Sequence, residues 1–183
     1  MIFRYQPKVI CFYPNWSFWR KTMGKFTPND IDPSLCTHIV YAYAVMDKDN
    51  LIVKPGDEWL DVEKNNIKSF IALKKANPNL KTLITIGGWV DSQQNREAYN
   101  LVFNNDKIRT AYIQSLVKFL NKYGFDGVDI SFEFPQINER EGYLTWIRAM
   151  KIAFDNDINK YEVIIYSKFL ILFAFLADMK CYF

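Results

Sequence analysis

Histidine is nearly missing from this chain: His38 is the only one among 183 residues. Cysteine occurs three times, as Cys11, Cys36 and Cys181, and never in a C-x-x-C pair. A zinc site needs three or four such ligands held close together. No metal is therefore expected, and no cofactor. Charge of one sign is also missing as a block. The net charge is only +3, with Lys and Arg scattered among Asp and Glu, so no basic stripe points to nucleic acid and no acidic tail to a solvating arm. The N-terminal "MIFRYQPKVI" has no secretory h-region, because Arg4, Gln6, Pro7 and Lys8 interrupt its apolar residues. The longest apolar run of the C-terminal stretch, Phe169 to Ala177, falls far short of the roughly 20 residues that span a bilayer. A buried helix or strand is expected there, not a membrane anchor. No repeat, linker or low-complexity segment is visible.

Half of the residues are hydrophobic and 17% are aromatic, enough for one folded domain with a sizeable core. "KVICFYP" (8–14), "CTHIVYAYAV" (36–45) and "KTLITIGG" (81–88) are short apolar runs of strand type. Between them, Val62, Ile67, Phe70 and Ile71 form one helical face over 61–76. From Asp106 to Tyr123 the apolar residues keep a 3.6-residue period, and Gly124 is a natural stop. A further helix is expected over 141–154. Near-continuous apolar strands alternating with helices belong to a parallel sheet covered by helices, an α/β barrel or a doubly wound sheet. After about Asn156 that rhythm is lost.

The stretch "FDGVDISFEFP" (125–135) reads as a fourth strand, yet it carries Asp126, Asp129 and Glu133. Carboxylates are depleted in strands and costly to bury, so their presence there calls for a reason. By alternation, Asp129, Ser131 and Glu133 share one face, while Asp126, Val128, Ile130, Phe132 and Phe134 share the other. Asp129 and Glu133 are then about 13 Å apart at ~3.3 Å per residue, and a middle residue would have to relay between them. In a parallel barrel Glu133 falls at the C-terminal mouth, where active sites lie. An acid at a strand end can equally cap the next helix. From composition alone, Cys11 and Cys36 could be bridged or free, and free core thiols are the plainer reading.

"DGVDISFEFP" resembles the D-x-x-D-x-D-x-E signature of glycoside hydrolase family 18, the chitinases and chitinase-like proteins. "VICFYPNW", "FTPNDIDPSLCTHIVYAYA" and "LKTLITIGGW" resemble that family's first three strand regions, in its order. The resemblance covers roughly residues 8–154 and implies a (β/α)8 TIM barrel, here incomplete, with about four β/α units over 1–156. A divergent apolar tail over 157–183 is set apart as an altered end. The resemblance implies a chitinase-like protein acting on or binding chitin and N-acetylglucosamine polymers by substrate assistance. It makes Glu133 the general acid, with Asp129 and Asp126 completing the catalytic carboxylates. Trp16, Tyr43, Gly88, Trp89 and Ser131 would line the sugar site. It further implies a Cys11–Cys36 disulfide and hence an extracellular protein whose start is incomplete or altered. The "NWS" acceptor at Asn15 lies beside the sugar site, and its glycosylation is not expected.

The sequence also departs from the family pattern. Ser131 stands where the signature has an aspartate that stabilises developing positive charge. Such a contact is typically worth about 10²–10³ in rate. Phe12 and Phe134 stand for tyrosines, Phe132 for a tryptophan, and Val90 for a common asparagine. Impaired chemistry is therefore expected, and the alternative is a non-catalytic glycan-binding lectin.

Overall fold

The computed structural model describes residues 7–165; the apolar run 169–177 and Cys181 lie outside them. The strands are β1 (Ile10–Pro14), β2 (His38–Asp47), β3 (Ile52–Pro55), β4 (Lys81–Gly87), β5 (Gly127–Ser131) and β6 (Glu162–Ile165). Five of them pair in parallel in the order β1-β2-β4-β5-β6, and β3 folds back on β2 as an antiparallel hairpin. Each parallel strand lies beside its predecessor, with no reversal of order. A doubly wound sheet reverses at a switch point, whereas a barrel wall continues in one direction, as here.

The helices are α1 (Asn66–Ile71), α2 (Trp89–Gln94), α3 (Arg96–Asn104), α4 (Asp106–Tyr123) and α5 (Arg140–Asn156). Ile39, Tyr41, Ile84, Ile86, Val128 and Ile130 point to the helix side and join the main core. There they meet Phe70 of α1, Tyr99 and Phe103 of α3, Tyr112 and Leu116 of α4, and Trp146 and Met150 of α5. The other strand face carries Phe12, Val40, Leu83, Thr85 and Asp129, the inner side of the barrel wall. α4 matches its expected bounds. Asn105 Oδ1 accepts the Lys107 and Ile108 amides at 3.0 and 3.1 Å. Gly124, at φ 84°, donates its N–H to Leu120 O, a left-handed stop that suits glycine.

Two expectations need correction, and one stretch carried none. The helix over 61–76 is broken: a wide turn at Trp59–Glu63 is followed by Asn65 at φ 57°, α1 and a 3₁₀ turn at Ala72–Lys75. Asp61 is the reason. Its buried carboxylate accepts from Tyr41, from Asn15 Nδ2 at 3.0 Å and from the Asp57 amide at 3.1 Å, which fixes the chain where a helix would have continued. Next, helices α2 and α3 occupy 89–104, where polar residues hid the period. Finally, the segment after 156 contributes β6, paired in parallel with β5 with Asp129 opposite Ile164. Among the described residues the barrel wall thus holds the expected four or so β/α units and, beyond them, a fifth parallel strand inside the stretch set apart as a tail. Glu162, the first residue of β6, accepts from Lys8 Nζ at 2.8 Å and pairs with His38 Nε2 at 3.2 Å.

Cys11 and Cys36 are joined, with Cα atoms 6.1 Å apart. The implied bridge is present, and the free-thiol reading fails.

The His38 hydrogen bond and then Lys8 hold the Glu162 carboxyl down at about 2, against the opposing effect of burial. A depressed carboxylate adds stability above the ordinary carboxylate range and loses it as pH falls through its folded value. Glu162→Gln is therefore expected to be less stable than the parent at about pH 6, with the gap narrowing steadily towards about pH 2.5. Urea midpoints across that range check this, and a gap independent of pH would refute it.

Candidate functional site

Glycine lets the ends of β4 and β5 approach. Gly87 has φ +104°, and a Cβ there would lie 2.7 Å from the Ser131 carbonyl oxygen. Gly88, at φ +86°, leaves no room for a Cβ against the Tyr43 ring without contacts of 3.1 Å. Its N–H donates to Ser131 O at 2.7 Å. The chain then enters α2 with Trp89 57% exposed on its first turn. The Trp89 ring lies 6.1 Å from that of Phe134.

Asp129, only 1% exposed, accepts from Thr85 Oγ1 at 2.9 Å across the β4–β5 register. Ser131, also buried, donates its hydroxyl to Glu133 Oε1 at 2.8 Å. The Glu133 side chain lies past the last paired residue of β5, half-buried at the mouth. The Tyr43 hydroxyl is pushed above its ordinary pKa by burial and then by the negative charges of Glu133 and Asp129. Trp16 stacks on Tyr43 at 5.3 Å.

The structure thus brings together Asp129, Ser131, Glu133, Tyr43, Gly88, Trp89 and Trp16. It does not bring in Asp126, which the family resemblance grouped with Asp129 and Glu133. That carboxylate sits at the opposite end of the strand, on the helix-facing side. It accepts from the Thr82 amide at 2.8 Å, Thr82 Oγ1 at 2.9 Å and Lys74 Nζ at 3.0 Å. Phe12 lies on the inner face of β1, and Asn15 is buried with its amide on Asp61.

Sequence reasoning missed several residues. Thr85, Ser92, Gln93 and Arg96 hold the carboxylate strand and its loop, and nothing in their spacing announced it. Trp19 and Trp59 stack on each other at 5.2 Å while both stay exposed. Trp19 Nε1 also donates to Asp57 at 3.2 Å. The cluster in "NWSFWR" was the available signal. Four of the five tryptophans are exposed, each in a segment that follows a strand end at the mouth.

A parallel barrel wall with carboxylates and open aromatic faces at its C-terminal mouth is the layout of a barrel enzyme, whose active site lies at that end of the strands. The chain belongs to glycosyl hydrolases family 18, whose family model matches residues 8–176. It is 34% identical over 157 residues to Probable chitinase 10 of Drosophila melanogaster, covering 80% of this chain and 7% of that protein. It is 33% identical over 153 residues to human Chitinase-3-like protein 2, covering 84% of this chain and 37% of that protein. Among solved structures, catalytic domain 2 of the Ostrinia furnacalis Group II chitinase, solved in complex with (NAG)5, superposes with a TM-score of 0.80 at 36% identity. That superposition covers 91% of this chain and 45% of the Ostrinia chain. Human YKL-39, described as a pseudo-chitinase with retained chitooligosaccharide binding properties, gives a TM-score of 0.74 at 30% identity, over 86% of this chain and 43% of its own. The chain spans less than half the length of each of these proteins.

Proposed function

We propose that the cleft binds chitin or N-acetylglucosamine oligosaccharides, and that Glu133 is poised to protonate the leaving oxygen while Ser131 leaves hydrolysis slow. The observation that carries this reading is the Ser131–Glu133 hydrogen bond at the mouth, set among the open faces of Trp16 and Trp89. Aromatic faces take up the apolar side of a sugar ring, and the carboxylate addresses the bond between rings. Substrate-assisted cleavage develops positive charge that a neighbouring carboxylate stabilises. Asp129 supplies charge deeper in the cleft, held by Thr85, but the position facing the sugar carries only a hydroxyl. Asp126 acts from below as a strand anchor. The non-catalytic binding reading draws on the same serine, and the two readings differ only in the rate that remains.

The Cys11–Cys36 bond supports an oxidising, extracellular setting. Among the described residues, no helix is long and apolar enough to cross a membrane.

Isothermal titration with chitopentaose tests the proposal. The chain is expected to bind it, and Trp89→Ala to weaken binding about tenfold, the scale of one lost aromatic contact. Binding that is absent at millimolar sugar, or indifferent to Trp89, would overturn it.

A further inference from the structure

The β5 ladder ends at Ser131, opposite Gly87. Glu133 is therefore two residues beyond any support from the sheet, on the loop that leads to α5. A side chain in that position needs its backbone fixed by something else if it is to meet a bond in a bound ligand. The contacts that do this come from one short segment. Ser92 Oγ accepts the Glu133 amide at 2.9 Å and donates to Ser131 O at 3.4 Å. Gln93 Nε2 donates to the Glu133 carbonyl at 2.6 Å. Arg96 Nη2 donates to the Phe134 carbonyl at 3.1 Å and pairs with Glu139, which in turn accepts the Gln136 amide at 2.8 Å. Ser92 is fully buried, and its own amide closes the first turn of α2 on Gly88 O at 2.9 Å.

We infer that Ser92 is a positioning residue for Glu133, aided by Gln93 and Arg96, so that the segment from Gly88 to Arg96 carries both the Trp89 face and the support of the acid. The two halves of the cleft then move as one piece. A ligand resting on Trp89 finds Glu133 at a fixed offset, because Trp89 and the last support, Arg96, lie on one short stretch of chain. Ser92 suits this role because its one hydroxyl both accepts and donates. Alanine removes both bonds while keeping the volume nearly unchanged. Threonine keeps the hydroxyl.

This inference rests on the reading of Glu133 as the acid of a chitooligosaccharide site, so its test has a readout that needs no sugar. In the ¹⁵N-labelled chain, Ser92→Ala is expected to speed hydrogen exchange at the Glu133 amide about tenfold, as loss of one well-made hydrogen bond does. Exchange at Val128, Asp129 and Ile130 should be unchanged, and Ser92→Thr should restore the parent rate. An unchanged Glu133 amide would overturn the inference. So would a uniform acceleration along β5, which would make Ser92 a general structural residue. On addition of chitopentaose, the parent is expected to shift both the Trp89 indole and the Glu133 amide resonances. Ser92→Ala should keep the first shift and lose most of the second; equal retention of both would also overturn the inference. If the sugar shifts neither in the parent, the glycan reading fails, while the exchange result still decides the role of Ser92.

Discussion

Trp146→Ala is expected to cost about 3–5 kcal/mol of folding stability, the upper range for truncating a buried aromatic residue. Stabilities of single domains are about 5–15 kcal/mol, so most of the margin would be lost. Trp146 is the buried member of the five tryptophans and the hub of the helix layer. From α5 its ring meets Phe103 at 5.5 Å and Tyr99 at 6.0 Å on α3, and Tyr112 at 6.0 Å on α4. Three helices therefore lose a shared contact, and none can close the void alone because each is fixed to the sheet beneath. The indole N–H has no hydrogen-bond partner among the described residues. Trp146→Phe discards that unsatisfied donor, which offsets part of the lost volume. Phenylalanine should consequently cost less than half as much as alanine. Urea unfolding with an unchanged m-value measures both, and equal losses for the two variants would refute the account.

Ser131→Asp should raise the hydrolysis of a chromogenic chitooligosaccharide by about 10²–10³ over the parent, the typical worth of one preorganised electrostatic contact. The substitution exchanges a hydroxyl that donates to Glu133 for a charge between Asp129 and Glu133 on the same face. That charge faces the position where a sugar ring would gain positive character. The same change crowds three carboxylates into one row, two of them at buried positions, and like charges repel at short range. The variant is therefore expected to be less stable than the parent, and more so at neutral pH than near pH 4, where carboxylates begin to be neutralised. Equal rates for parent and variant would show that the serine is not what restrains the chemistry.

The sequence announced the parts of this molecule that repeat a simple period. Four parallel strands read as apolar runs, and α4 read as a 3.6-residue stripe between Asn105 and Gly124. The Asp129–Ser131–Glu133 row followed from alternation alone. What stayed hidden depended on contacts between distant segments. Asp61 looked like the first turn of a helix because nothing local shows that Tyr41 and Asn15 bind it. Asp126 belongs to the same acidic signature as Asp129 and Glu133, but Thr82 and Lys74 claim it at the far end of the strand. β6 fell in the stretch set apart as a divergent tail, and its Glu162 finds partners 154 and 124 residues away. Ser92 carried no signal, since its role exists only once α2 lies against the loop after β5.

The bond between Cys11 and Cys36 acquires a further meaning from its place in the sheet. β1 pairs with β2 alone among the described strands, and only 3₁₀ turns, no α-helix, lie between the two. It is thus held from one side only among the described residues, although it leads directly into the segment that carries Asn15 and Trp16. A link across 25 residues removes about 3.5 kcal/mol of chain freedom from the unfolded ensemble on the loop-entropy account. In effect the covalent clasp replaces the missing helix: an edge that packing alone would leave prone to fraying is kept registered, and the first wall of the cleft with it.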